Sequence, residues 1–186
     1  MKQMRRILLG LALPVLLLLA WWWVTTYTEM SHAILPAIPE VAATFREFLL
    51  DGTLQADLGD SLSRVIKGYA VAVVLGITIG SAMGMWRTAY ALIHPLMTAV
   101  GQIPVVAWIP LIILWCGIGE LSKVVVIAIA AFFPIAVNTL GGIQSLPPGY
   151  LEVARLYRLS AAQTFRKVYL PHALPQILVG LKLGLG

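Results

Sequence analysis

The chain has 186 residues, 60% of them hydrophobic and 11% charged, where a soluble domain carries about 25% charged residues. Its mean hydropathy of +0.89 excludes an ordinary globular core and points to a polytopic membrane protein. The formal charge is +5, and the single cysteine, Cys116, excludes an internal disulfide framework and a paired-cysteine metal or redox site.

Met1–Arg6 carries Lys2, Arg5 and Arg6, and Ile7–Thr28 follows without a charge. At about 1.5 Å per residue this run crosses a hydrocarbon core of about 30 Å. A cleaved leader is disfavoured: the run is too long, and Trp21, Trp22 and Trp23 stand where small residues would be needed. With Tyr27 they are read as an interfacial belt. Glu29–Lys67 is the most polar stretch, broken early by Pro36 and Pro39. Val41–Leu50 has a helical pattern, so one or two amphipathic helices are expected at the membrane surface.

Gly68–Trp86 reads as a second span, ending at Arg87. Thr88–Gly119 is uncharged for 32 residues and is interrupted by Pro95, Gly101, Pro104 and Pro110. One long irregular span is expected there, tilted or broken near Gly101–Pro104, rather than two complete crossings. Glu120, Ser122 and Lys123 form a turn, and Val124–Leu146 is a fourth span. Tyr150–Leu170 is too charged to lie in the bilayer. Ala173–Gly186 is apolar apart from Lys182 but has 14 residues, and a span needs about 20, so the chain is expected to stop inside a fifth span. The fold class is all-α, a polytopic transmembrane helical bundle with four complete spans and part of a fifth. Its expected divisions are an N-terminal transmembrane helix (1–28), an extracytoplasmic amphipathic segment (29–67) and a transmembrane domain (68–186) that includes a cytoplasmic loop (147–171).

With the N-terminus in the cytoplasm, the inner side holds eight basic residues and one acid, and the outer side four basic and seven acidic. This distribution favours that orientation. The positive balance is therefore read as topology and not as a nucleic-acid surface. The chain has no GxxxxGKS/T phosphate loop, no HExxH, no GxSxG and no acid within a span, and His32, His94 and His172 are far apart. A transport role is favoured over intramembrane catalysis; the alternative is a non-transport membrane protein, either an assembly scaffold or an intramembrane enzyme.

Gly68, Ala72, Gly76, Gly80 and Gly84 recur every four residues. They form one slowly winding stripe that lets another helix approach closely, either within the chain or from a second subunit. Gln102 and Asn138 are amides inside apolar spans. They either line a pathway or bond a neighbouring helix. Lys182 is read as snorkelling toward the cytoplasmic surface rather than as an anion site. His94, beside Pro95, is read as structural, and Cys116 as a small apolar filler.

Pro147-Pro148-Gly149 ends the fourth span. Tyr150–Tyr157 reads as a short helix with Glu152 in its first turn. Ser160-Ala161-Ala162-Gln163 fits a capping box that starts a second helix, and Pro171 then precedes the next span. Glu152-Val153-Ala154, Leu159-Ser160 and Leu170-Pro171 resemble the EAA loop of ABC importer permeases. That pattern runs E-A-A, three residues, G, nine residues, I, one residue, L-P. Val153, Arg158 and Val168 depart from it, standing for Ala, Gly and Ile. A glycine in this turn permits a left-handed backbone, which costs other residues about 1–2 kcal/mol. Arg158 is therefore expected either to adopt a strained turn or to give the turn another shape.

Leu35-Pro36 to Val41, Ser61–Gly68, Pro104 to Trp115–Glu120, and Phe132-Phe133-Pro134 to Asn138-Thr139 are similar to the nitrate/sulfonate/taurine branch of these permeases. The resemblance runs from about Leu35 to Gly186. It implies a type I importer permease with six spans, about two of them beyond this chain, in the inner membrane of a bacterium. It also implies a second permease copy, cytoplasmic ATPase subunits that carry ATP and Mg, an extracytoplasmic substrate-binding protein and surrounding membrane lipid. No cofactor is expected on the chain itself. Glu152, Ala154, Leu159 and Ser160 are the implied docking residues.

Overall fold

The computed structural model describes residues 2–28 and 34–186, with side chains described from Gly10 onward within the first helix. Glu29 and His32, and the side chains of Lys2, Arg5 and Arg6, lie outside the described residues. The described chain is helical: α1 (Lys2–Tyr27), α2 (Ile38–Leu50), α3 (Thr53–Met85), α4 (Arg87–Gly101), α5 (Val105–Cys116), α6 (Glu120–Gln144), α7 (Pro148–Leu156), α8 (Ala161–Thr164), a π-helical turn (Phe165–Tyr169) and α9 (Leu170–Leu185). Residues 1–59 and 60–186 form two compact units.

In the first unit, Trp21 Nε1 donates 3.0 Å to the Pro36 carbonyl, and Trp22 meets Tyr27 edge-on at 5.9 Å. Pro39 sits in the first turn of α2, where its missing N–H costs nothing. The α2 helix ends at Asp51, whose carboxylate accepts from Thr53 N at 2.9 Å. Gly52, at φ +82°, supplies the left-handed step that starts α3. The helix expected to begin at Gly68 thus begins at Thr53. Its charged first turns read as a separate polar segment, yet nothing in Gln55–Lys67 breaks a helix.

In the second unit α6 lies between α3 and α9, and glycines set each contact. A Cβ on Gly68 would lie 2.7 Å from the Val124 carbonyl, one on Gly76 2.7 Å from Ile135 Cγ2, and one on Gly84 2.6 Å from Ile143 Cγ2. Both sequences advance together along this contact, so α3 and α6 run parallel. On the other side, Gly142 meets Ala173 and Gln176, whereas Gly184 meets Ala131 and Ile135. That order makes α9 antiparallel to α6. Tyr69 Oη, midway along α3 beside the Gly68 that meets the start of α6, donates 2.8 Å to the Leu181 carbonyl near the end of α9, which agrees with this direction. Lipid is as apolar as leucine, so these helices gain through close van der Waals contact rather than through exclusion from water. Ile135 and Ala136 are wholly buried, while Leu174 and Leu178 on α9 remain exposed as lipid-facing side chains would be.

The segment between α3 and α6 bends by 101° between α4 and α5. Pro104 (φ −54°, ψ 135°) stands at the break. It offers no N–H and biases Ile103 away from the helical region. Because α3 and α6 are parallel, α4 and α5 together return the chain across the bundle once, as a broken crossing. Gly101 admits Phe133 to within 3.1 Å of a Cβ position, and Met97 packs with Met83, Ala136 and Leu140. Gly117 (φ +75°) ends α5. Ser122 Oγ accepts from Gly119 N at 3.3 Å and donates to the Gly117 carbonyl at 2.7 Å, which fixes the start of α6.

Among the described residues, four helices are long and apolar enough to cross a membrane (10–27, 53–85, 120–144 and 161–185), and the bent pair counts as a fifth when α4 and α5 are taken as one span. The last differs from expectation. The second loop helix does not stop before Pro171 but runs from Ala161 into α9. The π turn makes this possible: Leu170 N–H bonds back to the Phe165 carbonyl, five residues away. Pro171, which has no N–H to place, follows directly.

Candidate functional site

The loop joining α6 to α9 is built as two helices around one sharp turn. Pro147 (φ −61°, ψ 137°) is extended and Pro148 opens α7, a position suited to a fixed φ. The helix ends in a Schellman arrangement. Leu159 N–H bonds to the Ala154 carbonyl at 3.0 Å and Arg158 N–H to the Arg155 carbonyl at 2.9 Å. Arg158 takes the left-handed position at φ +49°, the only non-glycine with positive φ among the described residues. The turn thus keeps the shape that a glycine would favour, with an arginine held in it.

Ser160 then caps α8. Gln163 N–H donates to Ser160 Oγ at 3.3 Å, and Gln163 Oε1 accepts from Ser160 N–H at 2.9 Å, the reciprocal pair of a capping box. Two caps, Tyr157 and Ser160, with only Arg158 and Leu159 between them leave the turn little freedom.

Ala154 is buried at 4% exposure, whereas Glu152, Val153 and Tyr157 are exposed. Ala154 and Leu159 are the residues at the two ends of the 6→1 bond. Both line a half-open cavity of about 210 Å³, to which Met85, Leu151 and Tyr169 also contribute walls. Ala154 therefore seats α7 on the bundle, while Glu152 is presented outward. Glu152 forms no ion pair among the described residues. Ser145 Oγ lies 3.2 Å from His172 Nε2, and the His172 ring stands 6.5 Å from Tyr150, so the two feet of the loop are tied. These residues are 27 positions apart and no local pattern announces the tie. Tyr150, Ser145 and His172 were missed by sequence reasoning for that reason.

The other candidates fall elsewhere. Ala72, Gly76 and Gly80 are buried and Gly84 half-buried against α6 of the same chain. Ala72 packs with Ala131 and Ile135. Gln102 is exposed at the break after α4. Asn138 Nδ2 donates 2.8 Å to the Pro134 carbonyl one turn back, and its Cβ is where Gly180 of α9 approaches. Gln102 and Asn138 therefore stand in different settings: one at an open break, the other inside a helix contact. His94 stacks on Tyr90 at 4.4 Å. Cys116 is half-buried and Lys182 exposed.

Residues 72–186 match the family described as binding-protein-dependent transport system inner membrane component. The chain is 35% identical over 187 residues to the taurine transport system permease protein of Escherichia coli (strain K12), covering 98% of this chain and 68% of that protein. It is 36% identical over 177 residues to a Bacillus subtilis (strain 168) permease named for aliphatic sulfonates transport, covering 95% of this chain and 64% of the relative. A bicarbonate transport system permease protein of Synechococcus elongatus matches at 36% over 126 residues, 68% of this chain and 45% of that protein. The chain thus spans about two-thirds of the length of the first two relatives. Membrane-spanning helices, the absence of strands among the described residues and the match across the two-helix loop converge on one conclusion: this chain belongs to the family of binding-protein-dependent inner membrane transport components, on the nitrate/sulfonate/taurine branch of ABC importer permeases.

Proposed function

We propose that the chain forms the membrane pathway for a small anionic solute and is driven by a separate ATPase docked on the α7–α8 loop from the cytoplasm. The observation that carries this reading is the loop itself. Ala154 is buried beneath α7, Glu152 and Val153 face outward, and two capped helix ends hold the turn between them. A short helix fixed at both ends transmits a push as a rigid body, and a continuous helix from Ala161 to Leu185 extends the lever into the bundle. ATP with Mg draws the two ATPase subunits together. Their grooves carry α7, and the spans rock between inward and outward openings. Glu152 and Ser160 meet the partner, Ala154 permits close seating, and Leu159 anchors the turn. A second copy of the permease completes the pathway, and an extracytoplasmic binding protein delivers the solute.

The solute class rests on the relatives, whose names specify taurine, aliphatic sulfonates and bicarbonate, all small and each carrying an anionic oxygen group at neutral pH, which in taurine is balanced by an ammonium. Gln102, exposed at the broken crossing, is the pathway residue this reading favours; Asn138 is already satisfied within its helix. The basic residues of the loop support a cytoplasmic position for α7 and for the N-terminus.

The test is Glu152→Lys in cells that carry the whole transporter. Uptake of the cognate anion and co-purification of the ATPase are expected to fall together while the permease remains in the membrane. Unchanged uptake and unchanged co-purification would remove the docking role.

A further inference from the structure

Beside the loop, an apolar groove of about 400 Å³ opens between the last turns of α3 and the start of α8. Its walls include Ile77, Ala82 and Met85 from α3 and Trp86 just beyond it, with Ala162 and Phe165 across from them. The lining is apolar apart from two hydroxyls. Thr78 Oγ1 donates back to the Val74 carbonyl at 2.6 Å, and Ser81 Oγ is buried in the wall without a hydrogen-bond partner among the described residues. An occupant of the groove is therefore hydrocarbon.

The rim has the opposite character. Ala162 also walls a shallow surface lined by Gln163, Arg166 and Lys167, so the apolar groove and this basic surface share an edge. Arg87 follows Trp86 at the same end of α3. No carboxylate lines either surface, and Arg87, Arg166 and Lys167 form no ion pair among the described residues. Trp86 is 57% exposed, as an indole at the level of lipid headgroups would be. A hydrocarbon slot that continues into unpaired cations matches an amphiphile with an anionic head.

We propose that this groove binds an anionic phospholipid of the surrounding bilayer, one acyl chain lying between α3 and α8 and the phosphate at Arg166 and Lys167. Bound there, the lipid braces the junction between the docking loop and α9, because Phe165 of its wall opens the π turn. A helix from another protein fits less well: it would bury the three cations without a carboxylate supplied from this chain.

The experiment reconstitutes the full chain in phosphatidylcholine nanodiscs that contain a trace of phosphatidylglycerol or phosphatidylcholine spin-labelled on the acyl chain. Electron paramagnetic resonance reads the motionally restricted fraction. Phosphatidylglycerol is expected to be favoured over phosphatidylcholine by about fivefold to tenfold. Arg166→Gln with Lys167→Gln, both exposed and unpaired, is expected to abolish the preference. Ala162→Trp is expected to reduce restriction of both lipids by filling the slot. Equal restriction of the two lipids, or a preference that survives the double variant, overturns the proposal. So does a cysteine placed by Ala162→Cys that is shielded from lipid-borne quencher and cross-links to another polypeptide, since protein would then occupy the groove.

Discussion

Arg64 in α3 donates its Nε–H to the carboxylate of Glu120 at the first turn of α6, joining residues 56 positions apart. Lys123 Nζ approaches the other carboxylate oxygen at 3.2 Å, so one acid answers two cations. The pair ties the N-terminal half of α3 to the first turn of α6 and pins the register of the two parallel helices. Both residues are solvent-accessible, so the pair specifies alignment more than it stabilises. In a double-mutant cycle of Arg64→Ala and Glu120→Ala, read by thermal unfolding in detergent, a small favourable coupling is expected, weakening as salt is added. The charge swap Arg64→Glu with Glu120→Arg is expected to recover only part of it, because the new arginine would face Lys123 one turn along.

The α3–α6 contact admits no side chain at Gly80, where a Cβ would stand 2.6 Å from the Ala136 carbonyl and 2.8 Å from Thr139 Cβ. Backbone cannot yield as a flexible side chain can. Gly80→Ala is expected to destabilise the bundle by about 1–3 kcal/mol, the usual range for overpacking. Gly59→Ala, in the same helix with nothing within 4 Å of its Cβ position, is expected to stabilise by about 0.5–1 kcal/mol. Opposite signs for these two glycines in thermal unfolding would separate close approach from helix propensity; equal effects would refute the packing account.

Arg158 occupies at φ +49° a position that glycine adopts without strain. Arg158→Gly is expected to stabilise the folded loop by about 1 kcal/mol, the relief of a left-handed residue less the added freedom of the unfolded chain. Arg158→Val is expected to destabilise it, since a β-branched residue fits that region worst. Hydrogen exchange at the amides of Arg158 and Leu159, which bond back to α7, reports both changes.

Ser160 supplies the cap from which the 25-residue helix Ala161–Leu185 starts. Ser160→Ala is expected to cost about 1 kcal/mol, and Ser160→Asp to restore most of it. If Ser160 also contacts the ATPase, Ser160→Asp will restore exchange protection in α8 without restoring ATPase co-purification. Recovery of both would assign Ser160 a capping role alone.

Much of the loop was legible beforehand because its signals are local. A Ser-x-x-Gln box, two prolines before a helix and a residue standing where a pattern expects glycine each act within a few positions, and the structure realises each as hydrogen bonds among neighbours. The broken crossing was legible for the same reason, since Pro104 acts on Ile103 directly. The start of α3 was not: charges at Asp57, Asp60, Arg64 and Lys67 mark exposure to water, and exposure does not end a helix. Nor was the π turn at Phe165–Tyr169, because one extra residue in a turn alters no composition or period that a short window can register.

Taken alone, the sequence determined the class of the molecule, which segments are apolar enough to span, the uneven distribution of charge along the chain and the stripe of small residues, all of which depend on what each segment is made of. Tertiary structure decided which surfaces meet. The stripe from Gly68 to Gly84 could have faced another subunit, and it faces α6 of its own chain. The parallel course of α3 and α6, the seat of Ala154 over a cavity, and the tie between Ser145 and His172 all join residues distant in sequence. The physical reason is common to them. A periodic pattern states which face of a helix can pack closely, but the partner is chosen by three-dimensional complementarity, which no single segment contains.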